Sequence, residues 1–75
     1  MTWTVPMPRL EEQFGKRLRE LRKKRGWSQE KLADMVGVSY QAISNIERGI
    51  SGPAFTTLAD IAKALKVKPK ELFDF

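Results

Sequence analysis

Apolar residues recur along this chain at intervals of three and four. From Leu10 to about Arg25 they fall at Leu10, Phe14, Leu18 and Leu21, a single stripe in an otherwise charged segment, which predicts an amphipathic first helix. Gly26 follows the basic run Lys23-Lys24-Arg25, a composition suited to a glycine stop and to the negative end of a helix dipole. Ser28 stands where an N-cap belongs before a short helix, Gln29 to Val36, which Gly37 closes. Ser39 stands likewise before Tyr40 to Arg48, with Ile43 and Ile46 on one face and Gly49 as the stop. Ile50-Ser51-Gly52-Pro53 has the composition of a turn. Phe55, Leu58, Ile61, Ala62 and Leu65 then predict a fourth helix ending near Lys66, and Pro69 is suited to open a short fifth helix, Lys70 to Phe73. No strand pattern emerges. The expected architecture is all-α: a compact domain of five short helices over residues 10–75, preceded by an N-terminal arm, residues 1–9, which Pro6 and Pro8 keep from being helical. Trp3, Val5 and Met7 either fray with that arm or pack on the domain or a second subunit.

Composition narrows the function. The chain has 75 residues, 14 Lys plus Arg against 9 Asp plus Glu, a net charge of +5, and neither histidine nor cysteine. One domain of this size buries only roughly 60% of its unfolded surface, so function belongs on the outside and not in an enclosed pocket. Without Cys and His there is no disulfide framework or thiolate metal site, and the commonest proton shuttle is missing. Asp34, Glu30, Asp60 and Glu71 sit at helix-surface positions with no partner base. Enzyme chemistry, a metal and a cofactor are therefore not expected, and no small-molecule ligand is evident. No apolar run approaches the roughly 20 residues of a membrane span and the first residues do not read as a signal peptide, which predicts a cytoplasmic protein. The positive charge is concentrated: Lys16 to Arg25 holds seven cations and one anion, Glu20, for a local +6.

Gln29 to Arg48 is the most specific window. Two helices joined by a short turn at a steep angle need a small residue where their axes approach, which Ala33 supplies. They also need a left-handed backbone in the turn, which Gly37 supplies without a Cβ penalty. Leu32, Val36, Val38, Ile43 and Ile46 form the apolar set that closes the angle and seats it on the first and fourth helices. By mechanism this is a helix-turn-helix.

Three further stretches extend the pattern: Phe14-Gly15-Lys16-Arg17-Leu18-Arg19-Glu20-Leu21-Arg22, Trp27-Ser28-Gln29-Glu30-Lys31-Leu32-Ala33, and Ile43-Ser44-Asn45-Ile46-Glu47-Arg48-Gly49. Pro53, Thr57-Leu58, Ile61-Ala62 and Ala64-Leu65 follow at matching spacing. On these residues the chain resembles the DNA-binding domain of the lambda-repressor and Cro (XRE-type) family over about residues 11–73. Ala54 and Lys68 depart from the Ser or Thr that the family often places at helix starts.

The resemblance implies that the helix from Tyr40 lies in the major groove of duplex DNA. With Ile43 and Ile46 facing the core, base contacts are expected from Ser39, Tyr40, Gln41, Ser44 and Asn45. A Gln or Asn amide can bond adenine N6 and N7 together, and Gln41 is the leading reader. Phosphate contacts are expected from Arg22, Ser28, Gln29, Lys31 and Arg48, with backbone amides between Gly49 and Phe55 as further donors. Arg22 and Glu47 resemble a family pair that ties the reading helix to the first helix. Relatives usually act as two-fold dimers, and Leu72, Phe73 and Phe75 are the expected dimer surface, with the arm in support; Leu72 also suits the core, whereas Phe75 at the chain end has no evident intramolecular role. The implied function is a sequence-specific transcriptional regulator, a repressor occupying an inverted-repeat operator. An antitoxin-type autoregulator and a protein-interaction adaptor built on the same bundle are the competing readings.

Overall fold

Several helix boundaries are set by a group that satisfies otherwise orphaned backbone donors or acceptors. A computed structural model describes residues 9–75, so residues 1–8 of the expected arm, including Trp3, Val5 and Met7, lie outside the described residues. Helix α1 spans Leu10–Lys24, α2 Gln29–Val36, α3 Tyr40–Glu47 and α4 Phe55–Leu65, followed by a 3-10 helix at Pro69–Phe73. Arg9 belongs to the domain: its carbonyl accepts the Glu12 and Gln13 N–H groups at the start of α1. At the other end Gly26 (φ +69°) turns the chain, its N–H donating to the Lys23 carbonyl while the Trp27 N–H reaches that of Arg22. Ser28 Oγ accepts the Lys31 N–H at 3.0 Å and Ser39 Oγ the Ala42 N–H at 3.1 Å, so both predicted serine caps are formed.

Two boundaries depart from the sequence pattern. Helix α4 starts without a side-chain cap at Ala54 and ends in Lys66, which takes the left-handed conformation (φ +56°) usually left to glycine. The fifth element winds as a 3-10 helix. A five-residue segment suits the tighter i→i+3 pattern, which occurs in short pieces, and the Glu71 carboxylate takes the Lys68 N–H at 2.6 Å.

The helices enclose one core. Phe14, Leu18 and Leu21 of α1, Leu32, Ala33 and Val36 of α2, Ile43 and Ile46 of α3, and Ile61, Ala62, Ala64 and Leu65 of α4 are all buried in it. Val38 and Leu58 pack on its edge half-buried, whereas Leu10, first in the predicted stripe, is exposed. Helix α1 packs on α3 and on the 3-10 helix, while α2 packs on α3 and α4. Leu72 fills the remaining gap and is 0% exposed. This corrects its expected place at a dimer surface: its side chain is spent inside the monomer, where burying a leucine contributes roughly 1.5–3 kcal/mol. Among the described residues no helix is long and apolar enough to cross a membrane.

Candidate nucleic-acid interface

Helix α3 is divided lengthwise. Ile43 and Ile46 are sunk in the core, while Tyr40 and Gln41 are exposed and Ser44 and Asn45 half-exposed beside them. Gln41 Nε2 donates to Asn45 Oδ1 at 3.0 Å one turn along, so the two amides form one continuous polar surface. Ser39 has its oxygen engaged as the cap of α3 and its hydroxyl proton left to donate. The second predicted group gathers around the start of α2 and the end of α3: Ser28, Lys31 and Arg48 are exposed and Gln29 half-buried.

Arg22 and Glu47 meet as the sequence reading expects. Arg22 Nε donates to Glu47 Oε2 at 2.6 Å and Nη2 to Oε1 at 2.9 Å, a two-pronged pair with the side chains 9% and 2% exposed. Arg22 Nη1 donates to the Trp27 carbonyl at 2.7 Å, and Gln29 Nε2 adds a bond to Glu47 Oε1 at 3.0 Å. Every guanidinium nitrogen of Arg22 thus has a protein acceptor. A buried ion pair is tolerable only when its remaining donors and acceptors are satisfied in this way. Its consequence is mechanical, since the last residue of α3, the last turn of α1 and the first residue of α2 are joined through one carboxylate. Arg22 presents little surface to a phosphate.

Some of the cations that make up the +6 are likewise tied down by the fold. Arg17 Nε donates to the Glu71 carbonyl at 2.8 Å, tying down the 3-10 helix. Arg25 Nε donates to the Leu65 carbonyl at 2.9 Å, closing the end of α4, and its guanidinium lies 5.5 Å from the Trp27 ring centre. Lys16, Arg19, Lys23 and Lys24 remain exposed.

Two glycines escape a reading by apolar pattern. Gly15 is buried in the middle of α1, where a Cβ would stand 2.5 Å from the Ile46 carbonyl oxygen and 2.7 Å from that of Glu47. Gly49 (φ +74°) is also buried, and a Cβ there would meet Glu12 Cγ at 2.8 Å. A glycine on the buried side of an amphipathic helix, next to Phe14, was the available signal of a close backbone approach.

The helix-turn-helix family model HTH_3 matches residues 18–72. The chain belongs to this family. Over 63 residues it is 43% identical to "Control protein C.BamHI" of Bacillus amyloliquefaciens, covering 83% of this chain and 78% of that protein. Among solved structures, the restriction-modification controller protein C.AhdI from Aeromonas hydrophila superposes with a TM-score of 0.82 at 40% identity, covering 84% of this chain and 96% of that one. The P22 c2 repressor, solved in complex with a synthetic operator, superposes with a TM-score of 0.75 at 42% identity over 79% of this chain and 89% of that one. Longer members of the family also match; the chain spans 32% of the Escherichia coli transcriptional regulator PuuR.

Proposed function

We propose that this helix-turn-helix transcriptional regulator represses by binding duplex DNA as a homodimer on a short inverted repeat, with α3 of each copy in the major groove. The division of α3 carries the reading: an amide and hydroxyl face at Tyr40, Gln41, Ser44 and Asn45 stands opposite a face sealed in the core. Gln41 is the principal base reader, and Ser28, Gln29, Lys31 and Arg48 hold phosphates on either side of it. Those contacts position the domain without reading sequence. Kinship with control proteins favours a regulator of restriction-modification genes.

The proposed dimer surface shifts away from Leu72. Leu10, Phe14, Pro53, Phe55, Leu58 and Phe73 line an open cleft of about 290 Å³, and Phe55 is 88% exposed. Phe75 is exposed beside Phe73, with ring centres 6.3 Å apart. A second copy covering this apolar rim supports a two-fold arrangement with half-sites about 34 Å apart.

Selection of binding sites from random duplexes tests the whole reading. The expected product is an inverted repeat bound at least ~10³-fold more tightly than unrelated DNA, with affinity falling steeply as salt rises. A single unrepeated half-site overturns the dimer. Absence of any enriched sequence overturns the regulator.

A further inference from the structure

The geometry points to Gly15, with Gly49 and Arg9, as the residues that position α3 for base reading: a bare-backbone seam between α1 and the last turn of α3 that sets how deeply and at what tilt the reading helix is presented. This rests on the proposed function above, and it concerns residues that touch no DNA in that proposal.

Three observations lie on one face of α1. Gly15 faces the Ile46 and Glu47 carbonyls so closely that a methyl group would sit 2.5 Å and 2.7 Å from their oxygens. One turn earlier, the Glu12 backbone lies under Gly49, whose added Cβ would be 3.0 Å from Glu12 Cα. At the start of the helix, Arg9 Nη2 donates to the Gly49 carbonyl at 2.8 Å. The obstacles at Gly15 are backbone atoms of a helix, which cannot swing aside as a side-chain tip can. Relieving a 2.5 Å contact to an ordinary separation moves the last turn of α3 by roughly 0.5–1 Å, because close-packed interiors transmit such strain.

The other end of α3 is held differently. Ser39 caps it and Ile43 anchors it in the core, so displacement at Glu47 tilts α3 about that anchored start and re-aims its outer face, carrying Ser44 and Asn45, and the amide of Gln41 bonded to Asn45, relative to the groove. Base edges are read through hydrogen bonds that tolerate only a few tenths of an ångström, whereas lysine and arginine reach phosphates through long flexible stems. The seam therefore controls specificity more than affinity. A mid-helix glycine also costs helix stability relative to alanine, so Gly15 gives up local stability where α1 needs the approach.

The test is Gly15→Ala in the full chain, measured by titration with the selected operator and with an unrelated duplex of equal length. Wild type is titrated first; a wild type without sequence preference counts against the proposed function and leaves the seam out of account. Given that preference, Gly15→Ala is expected to lower the specific-to-nonspecific ratio at least ~10-fold while binding to unrelated DNA and its salt slope stay within about twofold. Amide shifts concentrated at residues 46–49 should accompany it. An unchanged ratio in a folded variant overturns the inference. So does an equal fall on both duplexes, which marks general loss of structure. Should Gly15→Ala fail to fold, Arg9→Ala carries the test by removing one bond from the same seam: a lower ratio at an unchanged salt slope supports positioning, and a uniform loss with a shallower slope marks Arg9 as a phosphate contact and overturns it.

Discussion

Replacing Glu47 with leucine removes the acceptor that holds three elements together. Arg22, whose side chain is 9% exposed, keeps only the Trp27 carbonyl, and Gln29 Nε2 loses its partner. Stranding one member of a buried pair costs about 3–5 kcal/mol. A domain of this size has a total stability of about 4–11 kcal/mol, so the single variant forfeits a large share of it. With a urea slope near about 1 kcal/mol per molar, the midpoint should fall by about 3 M or more. Replacing both partners, Arg22→Met with Glu47→Leu, removes the stranded charge along with its pair and should be less harmful than Glu47→Leu alone. Urea unfolding followed by far-ultraviolet circular dichroism, on wild type, both single variants and the double, gives the coupling energy directly. We expect at least about 2 kcal/mol, persisting at high salt because buried charges are poorly screened. Costs of the single variants that add to that of the double within about 0.5 kcal/mol would refute the reasoning, since the pair would then be two independent surface charges.

The remaining predictions separate contact types. Gln41→Ala should cost about 1–3 kcal/mol at one cognate base pair and relax the preference there, measured by repeating site selection; an unchanged consensus removes Gln41 from the groove. Arg48→Ala should weaken specific and unrelated duplexes alike and shallow the salt slope by about one, and an effect confined to one base position would contradict its phosphate role. Lys66→Gly should raise stability by about 0.5–1 kcal/mol by relieving a left-handed lysine at φ +56°, visible as a higher urea midpoint; a lower midpoint would show that the lysine side chain contributes more than its backbone strain costs.

Much of the architecture was legible because its signals are local. Ser28 and Ser39 cap the helices they precede, and Gly26 and Gly49 take the positive φ that a glycine stop anticipates. Where the deciding interaction is tertiary, local signals ran out. Nothing near Lys66 in the chain marks a left-handed residue, because the turn is fixed by the packing of α4 and the Arg25 bond to Leu65. The stripe of Leu10, Phe14, Leu18 and Leu21 does not reveal that Leu10 projects beyond the core while Leu72, far along the chain, fills it. Charge counting has a related limit: it gives the charge of Arg17 and Arg25 but not that their guanidinium groups are held by carbonyls 54 and 40 residues away. The Arg22–Glu47 pair could be anticipated only through family resemblance, as its members are 25 residues apart. Gly15 was visible as a residue and opaque as a contact.

The lengthwise division of α3 also bears on how such a protein can change its target over time. Gln41 makes its side-chain bond to Asn45 on the same outer face, whereas the anchoring of the helix falls to Ile43, Ile46 and Glu47. On the proposed base-reading role, exchanges at Tyr40, Gln41 and Ser44 would therefore alter what is read at little risk to folding. A lineage can drift from one operator to another through viable single steps, and closely similar copies can diverge in target inside one cell while sharing the same frame.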